Sequence, residues 1–62
     1  MQWLETWTNG TITYKVAFDG AAGVYTGRLT VETRYNGQLL SVSAINLEDF
    51  YASIRDKGFK KV

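Results

Sequence analysis

Two Asn-Gly dipeptides, Asn9-Gly10 and Asn36-Gly37, each lie between runs rich in Thr, Val, Tyr and Trp. Asn-Gly supplies the two consecutive residues with positive φ that a type I′ turn requires, so each pair predicts a two-residue β-hairpin. Residues 2–18 are therefore predicted as a first hairpin and residues 24–45 as a second. The segment from Asp19 to Gly23, with its two glycines, is predicted as a flexible loop that joins them into an antiparallel meander.

The alternation of side chains along these strands predicts one apolar face. With the turns at Asn-Gly, Trp7 lies opposite Ile12 in the first hairpin and Val31 lies opposite Val42 in the second. The predicted apolar face then consists of Trp3, Trp7, Ile12, Tyr14, Val16, Phe18, Leu29, Val31, Leu40, Val42 and Ala44. The reverse face carries mainly threonine, serine and charged side chains, as expected for a sheet with one solvated side.

A helix is predicted over residues 47–57, because apolar side chains recur there at intervals of three and four residues. The apolar stripe consists of Leu47, Phe50, Tyr51 and Ile54. Asn46 is a favourable N-cap, Asp49 lies where a capping box places its acidic residue, and Gly58 suits the left-handed position that ends a helix. Residues 59–62 are compatible with a short edge strand.

These elements predict the α+β class: a four-stranded antiparallel meander followed by one C-terminal helix packed on one face. The meander is compatible with strong curling or with a short fifth strand. The chain has 62 residues and a mass of 7.0 kDa, so we expect a single small domain spanning residues 1–62.

The predicted apolar face is too wide for one helix. Four strands span roughly 19 Å, whereas a helix is about 10 Å in diameter. The helix follows the fourth strand directly, so we expect it to cover strands three and four and to leave the first hairpin uncovered. The interface candidates are Trp3, Trp7, Tyr14 and Phe18, since Trp and Tyr are enriched at interaction hot spots. We therefore expect a non-enzymatic protein-interaction module that acts through this aromatic surface. It would be either a homodimer or a regulatory or inhibitor protein.

Nucleic-acid binding is the alternative, because basic side chains lie among Thr and Ser on the polar sheet face. The candidates are Lys15, Arg28, Arg34, Lys60 and Lys61. A net charge of +1 and the acidic Glu32 between the two arginines weigh against this alternative. We therefore expect the partner to be a second copy or another protein rather than a nucleic acid.

Enzymatic chemistry has little support in the sequence. The chain contains no Cys and no His, which excludes a zinc finger and any mechanism that needs a thiol or an imidazole. A hydrolase using two carboxylates is a third possibility, but no pair of carboxylates stands out. Glu5 falls between Trp3 and Trp7 on the apolar face, where its pKa would be raised unless the carboxylate is paired. We expect no catalytic, metal or cofactor site.

The sequence also bears on location. Apolar residues make up 45% of the chain, but no apolar run approaches the roughly 18 residues that a membrane-spanning helix needs. No apolar signal-peptide segment follows Met1. We expect a cytoplasmic protein that does not insert into membranes.

Overall fold

The computed structural model describes residues 3–62, which form a five-stranded antiparallel sheet and two helices. The strands are β1 (Glu5–Thr8), β2 (Ile12–Phe18), β3 (Arg28–Tyr35), β4 (Gln38–Asn46) and β5 (Lys60–Lys61), and the helices are α1 (Gly20–Thr26) and α2 (Leu47–Arg55). The strand order is β4-β3-β2-β1-β5, so β4 and β5 form the two edges of an open sheet. The α+β class, the meander and the C-terminal helix on the sheet are confirmed.

The core lies between α2 and one face of the sheet. Its buried members are Val16, Leu29, Val31, Phe50 and Ile54, and Trp7, Tyr14, Phe18, Ile45, Leu47, Tyr51 and Phe59 pack around them. Edge-to-face contacts join Phe50 to Tyr14 and Tyr51 to Trp7, with ring centroids 5.9 and 6.2 Å apart. The expectation that the helix leaves the first hairpin uncovered is wrong, because these aromatic contacts draw α2 over β1 and β2.

The turn between β3 and β4 forms at Asn36-Gly37 as predicted. Both residues have positive φ, +50° and +82°, and Tyr35 lies opposite Gln38. This is the pattern of a type I′ turn, whose twist matches that of the flanking strands.

The turn between β1 and β2 differs from the prediction. Among the described residues Asn36 is the only non-glycine with positive φ, so Asn9 does not adopt the left-handed conformation that a type I′ turn at Asn9-Gly10 requires. Instead the Asn9 Oδ1 atom accepts hydrogen bonds from the backbone N–H groups of Thr11 and Ile12, at 3.0 and 2.8 Å. This side-chain turn moves the register by two residues and places Trp7 opposite Tyr14. A shift of two preserves the alternation, so the predicted faces of β1 and β2 are unchanged.

The connection between β2 and β3 is helical, so the flexible loop and the strand start at residue 24 are both wrong. The helix α1 lies tightly against the start of β3. Gly23 is buried, and a Cβ atom there would come within 2.6 Å of the Arg28 carbonyl oxygen. Gly27, with φ +72°, ends α1 and donates its N–H to the Gly23 carbonyl at 2.9 Å. Glycine at these two positions permits a close approach and a sharp exit into β3.

The start of α2 is capped by backbone rather than by a side chain. Asn46 has the extended conformation of an N-cap, with φ −72° and ψ 145°, but its side chain makes no capping hydrogen bond. The N–H of Leu47 donates instead to the Gly27 carbonyl at 2.8 Å, which joins the start of α2 to the end of α1. The predicted side-chain cap is therefore wrong, and the helix start depends on a tertiary contact.

The end of α2 follows the prediction with a small difference in length. The helix ends at Arg55, two residues before the predicted end at residue 57, and Gly58 adopts a left-handed φ of +74°. The chain then turns back, and Phe59 stacks on Tyr14 with ring centroids 5.0 Å apart. This stacking brings the tail beside β1, where β5 pairs antiparallel with it.

Gly37→Val should destabilise the protein by more than about 1 kcal/mol, because a β-branched residue is forced to positive φ. Gly37→Asn is the matched control and should cost less, since Asn tolerates the left-handed region. Chemical denaturation of the two variants measures the difference. Equal costs for both would contradict a turn that depends on φ.

Gly23→Ala should destabilise the protein by about 2 kcal/mol, because the new methyl group overlaps a backbone oxygen that cannot rotate away. Glycine to alanine inside an unobstructed helix instead stabilises by about 1 kcal/mol. The sign of the change in the free energy of unfolding therefore shows whether the Arg28 carbonyl obstructs a methyl group at position 23. A stabilised variant would show that α1 does not lie against β3 in this way.

Candidate interaction surface

One extra residue in β4 decides which of its side chains contact α2. Arg34 lies opposite Leu39, but the next residue of β3, Thr33, lies opposite Ser41, so a β-bulge includes Leu40. Beyond the bulge, the face that carries Leu29 and Val31 also carries Ile45, Ser43 and Ser41. The predicted pairing of Val31 with Val42 is wrong, because Val31 lies opposite Ser43.

The bulge exposes Leu40 and Val42, which side-chain alternation predicts on the apolar face. Val42 lies opposite Glu32 and Leu39 lies opposite Arg34, so both lie on the sheet face opposite α2, here called the open face. The exposed fractions of Leu39, Leu40 and Val42 are 51%, 61% and 57%. We call these three residues the β4 patch. Neighbouring exposed apolar side chains make this part of the sheet a candidate interaction site.

The physical reason for the bulge lies at the other end of β4. Ile45 packs against the core, and α2 begins two residues later with Leu47, which also packs there. Without the extra residue, the register set by the turn at Asn36-Gly37 would put Ala44 on this face instead of Ile45. The bulge therefore satisfies both the turn and the packing of Ile45, and the consequence is exposure of Val42.

The backbone of β4 is an uncharged and unpaired sheet edge. Its sequence, Gln-Leu-Leu-Ser-Val-Ser-Ala-Ile-Asn, contains no charged residue and no proline, and only Ile45 among its nine residues is not exposed. Natural edge strands are usually short, or carry lysine or proline that discourages pairing with another strand. The opposite edge follows that rule, because β5 is two residues long and both are lysine.

The predicted interface residues lie elsewhere. Trp7, Tyr14 and Phe18 are half-buried and pack around the core beneath α2, so they do not form an uncovered aromatic surface. Trp3, which precedes β1, is also half-buried. The signal for the β4 patch was present in the sequence as the adjacent pair Leu39-Leu40, which breaks strict alternation, together with the absence of charge over nine residues.

Three of the predicted nucleic-acid cations form ion pairs with carboxylates. Arg28 Nε lies 3.3 Å from an Asp19 oxygen, and Arg34 Nε pairs with Glu32 on the same strand. The Lys61 ammonium lies 3.3 Å from a carboxylate oxygen of Glu5 and is therefore on the α2 side of the sheet. These pairs offset the charge that a phosphate backbone would contact.

The two remaining cations lie at the opposite side of the open face from the β4 patch. Lys15 lies opposite Thr6, and Lys60 lies opposite Thr8. The Thr13 hydroxyl donates to the Thr8 hydroxyl at 3.2 Å on the same face. The open face is thus divided between an apolar side on β4 and a side of threonine and lysine on β1, β2 and β5.

Glu5 lies on the α2 side of the sheet, where three donors surround its carboxylate. The Oε1 atom accepts hydrogen bonds from the Trp7 indole N–H at 3.1 Å and from the Tyr51 hydroxyl. The other oxygen, Oε2, pairs with the Lys61 ammonium. These contacts link β1, α2 and β5 through one side chain that is 20% exposed.

The pairing reverses the pKa expected for a carboxylate on an apolar face. The Tyr51 hydroxyl lowers the pKa of Glu5 below its ordinary value, with Trp7 and Lys61 acting in the same direction and burial opposing them. The Glu5 carboxylate in turn raises the pKa of Tyr51 from 10.0 to about 12. Glu5 is ionised at neutral pH and accepts from three donors, so it is a poor general acid or base.

Within residues 3–62, no group of three or more His, Cys, Asp or Glu side chains is arranged to bind a metal ion. None of the helices in this part of the chain has the length and apolar character needed to cross a membrane.

No family model, curated protein or solved structure matches the chain. The function must therefore be inferred from the contacts within the chain itself.

The free energy of unfolding should fall at both ends of the pH scale because of the Glu5–Tyr51 pair. Glu5 has a lowered folded pKa, so its contribution is present above about pH 4.5 and is lost as pH falls through that pKa. Tyr51 has a raised pKa, so its contribution is present below pH 10.0 and is lost as pH rises toward about 12.

Tyr51→Phe should cost about 1.5 kcal/mol at neutral pH, because it removes a hydrogen bond to a charged group. It should also flatten the alkaline decline in the free energy of unfolding. Tyr25→Phe is the control, since the Tyr25 side chain is 90% exposed. Urea denaturation from pH 3 to pH 12 compares the three proteins, and an alkaline decline in Tyr51→Phe equal to that of the wild type would contradict the assignment.

Proposed function

We propose that this chain is a small, non-enzymatic protein-interaction module that binds an extended segment along the β4 edge. The observation that supports this proposal is the β4 patch, which lies on an uncharged edge strand of nine residues. The other edge of the sheet, by contrast, is protected by two lysines. A strand added there would satisfy the free backbone groups of β4, and its apolar side chains would cover Leu39, Leu40 and Val42. A regulatory role and a cytoplasmic location are part of the same proposal.

The chemistry of the edge indicates the kind of segment that binds. Main-chain hydrogen bonds provide affinity with little dependence on sequence, and the alternating side chains provide selectivity. On the open face the bound segment would contact leucine and valine. Its side chains on that face should therefore be apolar. Because β4 carries no charge, charged residues at those positions would be desolvated without a partner.

Selection of displayed nine-residue peptides against the immobilised full chain tests this proposal. The selected peptides should alternate apolar residues, and their binding should shift amide resonances in β4. Leu40→Glu should weaken binding at least tenfold, since it places a charge within the patch. Ala52→Glu, on an exposed position of α2, is the charge-matched control and should bind like the wild type.

Two outcomes would overturn the proposal. One is that no extended peptide is selected. The other is that selected peptides bind the Leu40→Glu variant and the wild type equally, or shift resonances of α2 instead of β4.

Nucleic-acid binding is the alternative proposal, and the observation that favours it is the side of the open face that carries Lys15 and Lys60 among threonines. A single-stranded DNA or RNA could lie along this side of the open face without contacting the β4 patch. Affinity for mixed DNA and RNA should then depend steeply on salt and fall in Lys15→Gln. Undetectable binding at low salt would end this alternative.

A further inference from the structure

We infer that the segment bound at the β4 edge is β4 of a second copy, so that two chains form one continuous ten-stranded sheet around a twofold axis. This inference rests on the proposed function and names its partner. A twofold interface brings the same surface of each chain together, so the surface must be complementary to itself. The β4 edge meets that condition in length, charge and side-chain pattern.

The first condition is length. The strand β4 runs from Gln38 to Asn46, and Val42 is its middle residue. Antiparallel pairing about Val42 therefore aligns the two strands from end to end, with Gln38 opposite Asn46 of the partner. Nine paired residues form a ladder roughly 30 Å long.

The second condition is charge. A twofold axis places like side chains near each other, so any charge close to the axis would be repelled by its own copy. The strand β4 carries none, and the net charge of the chain is only +1. The lysines of β5 lie at the far edge of the sheet, four strands away in the strand order.

The third condition is cover for the β4 patch. In the register about Val42, the two Val42 side chains are opposite each other and Leu40 of each chain lies beside Ala44 of the other. Both patches are then covered by the partner. A register centred on Ala44 would leave Leu39 and Leu40 beyond the end of the ladder.

The size of the contact sets the expected affinity. A strand edge with a few side chains buries less than the roughly 800 Å² per partner of a standard interface. The dimer should therefore be weak, with a dissociation constant on the order of 10–100 μM. Association at these concentrations stabilises the folded chain by mass action, so the melting temperature should rise with protein concentration.

Sedimentation and thermal melting of the full chain from 5 to 500 μM test the inference. The wild type should approach twice its mass of 7.0 kDa, and Val42→Lys should weaken association at least tenfold by placing two ammonium groups at the axis. Ala52→Lys on α2 adds the same charge away from β4 and should associate like the wild type. Leu40→Glu provides a second disrupting variant if Val42→Lys folds poorly.

A cysteine at the axis tests the register directly, since the natural chain contains none. Val42→Cys should oxidise to a disulfide-linked dimer at least tenfold faster than Ala52→Cys, because opposite residues of an antiparallel pair lie within disulfide reach. Equal rates would overturn the register.

The remaining outcomes separate this inference from the proposed function. A wild type that stays monomeric at 500 μM but binds selected peptides at β4 would overturn self-pairing and leave the interaction module in place, with another protein as partner. Dimerisation that is unaffected by Val42→Lys and Leu40→Glu would show that the copies meet at another surface, and would also overturn the inference.

Discussion

The packing of Ile45 against the core is the constraint on which the exposed surface of this protein depends. Ile45 and Leu47 lie on either side of the junction between β4 and α2, and both contact the core. The turn at Asn36-Gly37 fixes the opposite end of the same strand. These two requirements differ in register by one residue, and the bulge at Leu40 accommodates the difference. Every side chain of β4 between the bulge and the helix changes face as a result.

The sequence predicted features that depend on near neighbours. The type I′ turn at Asn36-Gly37 and the apolar stripe of α2 are local patterns, and both are present. The faces of β1 and β2 were also predicted, although the turn at Asn9 was misplaced, because a shift of two residues preserves alternation. The faces of β4 were misplaced because one extra residue reverses alternation, and the adjacent pair Leu39-Leu40 is the one local sign of that residue in the second hairpin.

The helix α1 could not be predicted from its own residues. It has seven residues, two of which are glycine, and Asp19 at its start makes no side-chain cap. Its stability depends on the close approach of Gly23 to Arg28 and on the Gly27 carbonyl that accepts from Leu47. Each of these contacts joins the helix to a segment that follows it in the chain. Such a helix is selected by tertiary packing rather than by propensity.

The pKa of the Glu5 carboxylate also depends on tertiary contacts. Alternation correctly placed it on the face toward α2, where an unpaired carboxylate would be costly. The donors that lower its pKa come from Trp7, from Tyr51 on α2 and from Lys61 at the end of the chain. The charge therefore connects the first strand, the C-terminal helix and the last strand, and burial of the side chain is tolerated only after all three have assembled.

The same geometry explains why β4 stays exposed. Aromatic contacts with Trp7 and Tyr14 draw α2 toward β1 and β2, and Phe59 covers Tyr14 from the tail. Among the described residues only six apolar side chains are buried, a small core for a chain that has no cysteine and so no disulfide to supplement it. Covering β4 would bury three of the large apolar side chains that remain exposed, Leu39, Leu40 and Val42. In a domain this small, binding at that edge and stability of the fold are therefore expected to be coupled.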